Sequence, residues 1–254
     1  MKLRILGSGT SSGVPRLGPD WGACDPGEPR NRRTRASLLV EHEGVRVLVD
    51  TSPDLREQLL AAEVDRLDAV IWTHDHADHC HGIDDLRQVF HALGEQVKGY
   101  ARPAVLQVLR QRFGYVFTGK TGYPAVVDAS DLGATLTIGG LSIATVDQPH
   151  GRISSVGLRF EAGGKRAGYA TDFHELTPDM RTLYTGLDLW VVDALRHAPH
   201  PSHPTVAEAL DWIAELRPGR AALIHMDHSL DYRTLAAALP SGVEPGYDGL
   251  EFTL

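Results

Sequence analysis

The sequence predicts an α/β protein in which β-sheets pack together beneath a cover of helices. Two observations carry this. Strand-like segments gather in two blocks, chiefly over residues 3–50 and 135–171, with helix-like segments between and after them. Polar residues of metal-ligand type also recur where apolar strands end, which is where an α/β scaffold keeps its site residues.

Residues 3–6 read as the first strand and run into a loop of small residues, 7–13, that allows close backbone approach. The loop lacks the Gly-Lys-Ser/Thr ending of a phosphate-binding loop, and no helix follows at the required spacing, so nucleotide binding is disfavoured. Residues 36–41 and 45–50 form a hairpin around Glu43-Gly44. The apolar run 69–72 is a buried strand, and further strands fall at 135–138, 141–146, 155–160 and 165–171. Helices are expected at 55–62, 83–93, 103–113, 206–216 and 232–239. No repeat, low-complexity tract or linker interrupts the chain, so residues 1–254 are expected to form one domain.

Hydrophobic content of 42% and charged content of 23% are those of an ordinary globular protein. A net charge of −8 opposes broad phosphate neutralisation, so no stable nucleic-acid partner is expected. A small anionic substrate held at a local cationic site is compatible with it. The two cysteines, Cys24 and Cys80, do not suggest a disulfide framework. No run approaches a membrane span and no secretory signal is evident, so a cytoplasmic location is expected.

The segment Thr73-His74-Asp75-His76-Ala77-Asp78-His79 packs four metal-ligand side chains into six positions at the end of strand 69–72. Side chains alternate in extended backbone, so His74 and His76 face the same way and can hold one ion. The chain then turns toward a helix, which swings Asp78 and His79 round to a second ion. Further donors sit at other strand ends: His150, Asp172 after the run 167–171, and His225 after 221–224. Each alone is weak, since a single histidine is commonly a hydrogen-bonded structural residue. Together with the cluster they make a coherent set.

That series resembles the ligand series of the metallo-β-lactamase superfamily, and the resemblance runs from Gly7 to about Gly249. It implies a four-layer αββα sandwich with the metal site at the edge between the sheets. It also implies that His74, His76 and His150 hold one ion, that Asp78, His79 and His225 hold the other, and that Asp172 bridges them. Asp50 matches an early aspartate that supports the ligand loop. The donors are nitrogen and oxygen only, and accept zinc and manganese alike.

Two further features resemble the branch that holds the tRNA 3′-processing ribonucleases and the PhnP-type phosphodiesterases. One is the opening Leu6-Gly7-Ser8-Gly9-Thr10. The other is His203, just before helix 206–216, where a PhnP-like enzyme places a histidine that acts on the leaving oxygen. The competing role for His203 is that of a helix-start residue. The tail from Leu223 to Gly249 also looks like that of PhnP-type enzymes, which are associated with small cyclic phosphates. One departure concerns a structural zinc. Those enzymes carry a cysteine cluster near the N-terminus, whereas only Cys24 stands here, and with His228 it makes too few donors for a closed tetrahedral site.

The resulting expectation is a dinuclear metal-dependent phosphodiesterase acting on a small phosphate ester, cyclic esters included. A metal-bound hydroxide attacks phosphorus, Asp78 orients the water and His203 assists the leaving group. The alternative is a thioester or lactone hydrolase of the glyoxalase-II type on the same metal site, which would not need His203. A tRNA-processing nuclease is disfavoured because no basic inserted arm is visible. A non-catalytic scaffold is disfavoured because all seven ligands are present, and a flavodiiron role because His76 stands where that pattern has glutamate. Arg30, Arg32, Arg33 and Arg35 suit phosphate or a solvated surface about equally. Arg87 is given no role. Tyr115, Phe117 and Tyr123 suit a pocket wall or a dimer seam, so a homodimer stays open.

Overall fold

A computed structural model describes all residues, 1–254. The first half of the chain runs β1 (Lys2–Gly7), β2 (Ser37–His42), β3 (Val45–Val49), α1 (Leu55–Ala61), β4 (Ala69–Ile71) and α2 (Ala77–Cys80). It continues with α3 (Leu86–Leu93), β5 (Val97–Ala101), α4 (Pro103–Arg112), α5 (Gly114–Thr118) and β6 (Val127–Asp131). The second half runs β7 (Thr135–Ile138), β8 (Leu141–His150), β9 (Ile153–Ala162), β10 (Lys165–Ala170), α6 (Pro178–Tyr184) and β11 (Leu189–Asp193). It closes with α7 (Val206–Leu216), β12 (Arg220–Ile224), α8 (Tyr232–Ala238), β13 (Val243–Pro245) and β14 (Glu251–Thr253).

The strands build two sheets of seven, in the orders β14-β1-β2-β3-β4-β5-β6 and β13-β12-β11-β10-β9-β8-β7, so the last strand of the chain returns to the edge of the first half's sheet. Both sheets change from antiparallel to parallel partway across, at β3 in the first and β10 in the second. The crossover helices of the parallel halves therefore cover the outer faces, as βαβ connections require. The inner faces meet in a core that includes Leu38, Val49, Ile71, Phe160, Tyr169 and Ile224. Outside the first sheet, Trp72, Leu86 and Leu109 pack under α1, α3, α4 and α5, and outside the second, Met180, Trp190 and Ile213 pack under α6, α7 and α8. The layer order is αββα, as the resemblance implied. No helix is long and apolar enough to cross a membrane.

The strong local signals hold. Glu43 and Gly44 take φ values of 48° and 84°, which suit a two-residue hairpin turn. The helix at Val206–Leu216 opens on a Thr205–Glu208 capping box, so Thr205, not His203, starts that helix. Two boundaries move. β8 runs on to His150, because residues 147–150 pair with 153–156 in a tight hairpin. The helix expected at 83–93 divides into a 3-10 turn at Ile83–Asp85 and α3, and the single turn α2 precedes it. Gly82 separates α2 from that turn: a Cβ there would lie 1.9 Å from the Ser52 carbonyl, so the ligand helix packs directly on the loop after β3.

Candidate metal centre

Three strands end at or near a non-glycine residue with left-handed backbone: Asp50 (φ 64°) after β3, Asp172 (φ 57°) after β10 and His225 (φ 59°) after β12. That conformation costs about 1–2 kcal/mol for an ordinary side chain and is borne best by Asp, Asn and His. Each bend stops its strand and sets a polar side chain at the cleft where the two sheets meet. The loop after β4 supplies the rest. His74 is fully buried, His76 is the exposed residue before α2, and the single turn of α2 carries Asp78 and His79.

The seven sequence-predicted ligands converge. His74, His76, His150 and Asp172 each bring one ligand atom within 4.8 Å of the others, and so do Asp78, His79 and His225. Asp172 lies between the groups. Its Oδ1 is 3.8 Å from His74 Nε2 and 3.6 Å from His150 Nε2, while its Oδ2 is 3.1 Å from His79 Nε2 and 3.6 Å from His225 Nε2. Asp78 Oδ2 stands 3.4 Å from His79 Nε2 and 3.7 Å from His225 Nε2.

Hydrogen bonds on the far side of the rings fix which nitrogen faces inward. His79 Nδ1 donates to Asp50 Oδ2 at 2.7 Å, and Asp50 also accepts the Thr73 N–H at 2.7 Å and the Thr73 hydroxyl at 2.8 Å. His74 Nδ1 donates to Thr73 Oγ1 at 3.0 Å, and His150 Nδ1 to the Ser202 carbonyl at 3.0 Å. The Nε2 atoms of His74, His79 and His225 are left buried without a hydrogen-bond partner. An unpartnered buried polar atom costs about 1–3 kcal/mol, and a convergent set of imidazole and carboxylate donors is what a divalent cation satisfies. The residues fit divalent metal.

Electrostatics agree with that reading. Burial pushes His74 well below its ordinary pKa and His150 down to about 4. Burial would also lower His79 and His225, but the surrounding carboxylates, Asp172 foremost, hold His79 well above its ordinary value and His225 at about 9. Asp172 and Asp78 are pushed up by burial, yet the facing histidines keep both well below the usual carboxylate range.

His203 stands at the rim of the same cluster, with Nε2 3.8 Å from Asp172 Oδ1. Its Nδ1 donates to Asp193 Oδ2 at 2.8 Å, and that oxygen also accepts the Asp172 backbone N–H at 2.9 Å. Asp193 was missed from sequence, though it ends the apolar run 189–192 just as the ligands end theirs. The aromatic segment divides: Phe117 packs on Trp72, while Tyr115 and Tyr123 line a groove beside α3 that includes none of the candidate ligands. Arg87 lies over the Tyr123 ring in that groove.

Residues 45–226, a span containing all seven ligands, match the profile of the β-lactamase superfamily domain. The chain belongs to the metallo-β-lactamase superfamily. Within it, a solved diphosphatase from the PhnP family is 34% identical, with a TM-score of 0.91 over 100% of this chain and 97% of that one. Zinc-bound PqqB from Methylobacterium extorquens shares the fold at a TM-score of 0.81 and 23% identity, each chain covered in full. A Porphyromonas gingivalis octanoyltransferase is 36% identical over 99% of this chain, which spans about half (51%) of that protein. This metallo-β-lactamase-fold protein is thus a metal-dependent hydrolase of the PhnP-like branch, with histidine and aspartate groups built to bind divalent metal.

Proposed function

We propose that the protein is a dinuclear phosphodiesterase acting on a small phosphate ester, cyclic esters included. The observation that carries this is the His203–Asp193 pair, an imidazole at the rim of the seven candidate ligands that lies close enough to Asp172 and His225 to share their group and is held through Nδ1 by Asp193. His74, His76 and His150 would hold one ion, Asp78, His79 and His225 the other, with Asp172 between them and zinc or manganese the metals its donors suit. Divalent metal bound there would acidify a bound water and would neutralise charge developing on a phosphoryl oxygen.

The chain supplies the rest. Asp78, through its carboxylate, orients the attacking water. His203, as general acid, gives its Nε2 proton to the departing alkoxide, and Asp193, hydrogen-bonded at Nδ1, fixes the direction of the ring. A thioester releases a good leaving group and would leave His203 without a task. The likeness to a PhnP-family diphosphatase supports phosphorus chemistry. The acyl-transfer name of the P. gingivalis relative belongs to a chain about twice as long. Both cysteines here are buried, and burial pushes the Cys80 thiol up to about 11, so neither is set to carry an acyl group.

The deciding experiment compares hydrolysis of a phosphodiester, a cyclic phosphate and a thioester by zinc- or manganese-loaded protein, with His203→Ala alongside. Phosphodiester turnover that falls about 10²–10⁴-fold in the variant at unchanged metal content is the expected result. Thioester turnover indifferent to the substitution would overturn it. Loss of metal along with activity would make His203 a ligand.

A further inference from the structure

We infer that Arg35, together with the exposed Ser11-Ser12 turn, forms a second anion subsite beside the metal centre, recognising a phosphate other than the one hydrolysed. The inference rests on the phosphodiester reading above and extends it to substrate class. A chain of net charge −8 must concentrate cationic groups locally to hold a doubly phosphorylated molecule.

The structure sorts the four arginines of residues 30–35. Arg33 is buried and spends its guanidinium on the Asp227 and Leu230 carbonyls. Arg30 lies between the rings of Tyr232 and Tyr247, and Arg32 lies over Trp21. Arg35 differs from all three. Its Nε is 2.9 Å from Asp54 Oδ2, its side chain is 27% exposed, and neither terminal nitrogen has a partner in the chain. A guanidinium steadied at one edge, with its outer nitrogens free, suits forked recognition of a phosphate.

Its surroundings point the same way. The side chain runs alongside Gly13, where a Cβ would sit 3.9 Å from Nη1. Gly13 closes a turn by donating to the Thr10 carbonyl, and at the tip of that turn Ser11 and Ser12 are exposed, with backbone N–H groups that donate to no acceptor in the chain. Two N–H groups without an acceptor and two exposed serines, Ser12 Oγ reaching the Gly13 carbonyl at 3.4 Å, thus belong to the turn whose closing glycine abuts the guanidinium. Backbone pairing ties this place to the metal centre. Gly9 bridges to Arg35 on one side and to Met226, the neighbour of His225, on the other, which puts residues 35 and 226 on the order of 10 Å apart across two strand spacings. Asp54 belongs to the loop that starts at Asp50, which supports His79. The subsite therefore flanks the His79–His225 side of the centre.

The test uses a matched pair of substrates on metal-loaded protein: thymidine 5′-(4-nitrophenyl phosphate) with and without a 3′-phosphate. The wild type is expected to favour the 3′-phosphorylated diester by about tenfold or more in kcat/KM, mainly through KM. That ratio should fall toward one in Arg35→Gln and be partly restored in Arg35→Lys. An unchanged ratio in Arg35→Gln would reduce Arg35 to a partner of Asp54 and overturn the inference. Calorimetric titration of thymidine 3′,5′-bisphosphate and thymidine 5′-phosphate into the same proteins reads the subsite without turnover. Tighter binding of the bisphosphate that disappears in Arg35→Gln supports it, and equal binding by wild type and variant sinks it. Failure to hydrolyse either diester would count against the phosphodiester reading alone, with the binding comparison still deciding the subsite.

Discussion

Asp193 serves two neighbours through one oxygen, accepting from His203 Nδ1 at 2.8 Å and from the Asp172 backbone at 2.9 Å. Asp193→Asn removes the carboxylate that accepts from Nδ1 and offers an amide that can turn its donor toward the ring. The expected result is a fall in kcat on a phosphodiester of about 10²–10⁴-fold with both ions retained, checked by steady-state kinetics beside metal analysis. Unaltered kcat would leave Asp193 a purely structural residue. The histidines carry a second expectation. With metal absent, His225 is held at about 9, against an ordinary value near 6.5, and His79 is also raised. Both bind protons at neutral pH that a metal ion must displace, so metal affinity should climb as pH rises toward 9. The same raised value stabilises the metal-free fold fully below pH ~6.5, a contribution lost as pH rises through about 9. Zinc titrations at pH 7 in buffers of different ionisation enthalpy should show release of at least one proton per chain, and buffer-independent heats would contradict this. The seven candidate ligands were legible because four cluster just after the apolar run 69–72, three follow strands elsewhere, and the series as a whole resembles that of the superfamily. Asp193 shares that pattern but is read through the residue it orients, and His203, ten positions away, gives no local sign of the pairing.

Among the elements, the segment from Cys24 to Arg33 and the one from Asp227 to Asp231 are joined by a buried polar knot rather than by a sheet. Arg33, 1% exposed, donates to the Asp227 carbonyl at 3.0 Å and the Leu230 carbonyl at 2.6 Å, with Nη1 3.9 Å from Cys24 Sγ. Asn31 adds a 2.6 Å bond to Asp231, and Tyr232 N–H returns to Asn31 Oδ1 at 2.7 Å. Arg33→Met leaves the Asp227 and Leu230 carbonyls with one long bond each, from the Leu230 N–H at 3.4 Å and from Cys24 Sγ at 3.5 Å, so a loss of about 1–3 kcal/mol is expected, with hydrogen exchange rising first at 227–232. Uniform exchange changes across the chain would argue against a local clamp. No sequence pattern announces this knot, since its partners lie some 200 residues apart. Distance along the chain also hid β13 and β14, three-residue strands that pair only through the finished sheets. β6, Val127–Asp131, is an edge strand too polar to show alternation, and β11, Leu189–Asp193, is a short apolar run that periodicity alone cannot assign to strand or helix. α7 was readable to the residue because its cap, apolar stripe and length agree locally.

For the whole molecule, the consequence of the sandwich is that neither sheet owns the centre. His74, His76, Asp78 and His79 follow β4 of the first sheet, while His150, Asp172 and His225 end strands of the second. An ion held by His74 and His150, or by His79 and His225, is therefore a cross-link between the two halves at one end of their shared core. Only the folded chain assembles these donors, so metal binding adds directly to folding stability. At a free metal concentration 100-fold above Kd, each ion would add about 2.7 kcal/mol. For a chain of 254 residues this corresponds to a rise in Tm of roughly 5–10 °C per ion. Thermal unfolding with and without zinc, and again after chelation, measures it. His225→Ala should lose part of the gain by weakening one group, and His74→Ala by weakening the other. A Tm indifferent to zinc and chelator would mean that the buried, unpartnered Nε2 atoms of His74, His79 and His225 find their partners in some other way, and the two-ion reading would fall with it.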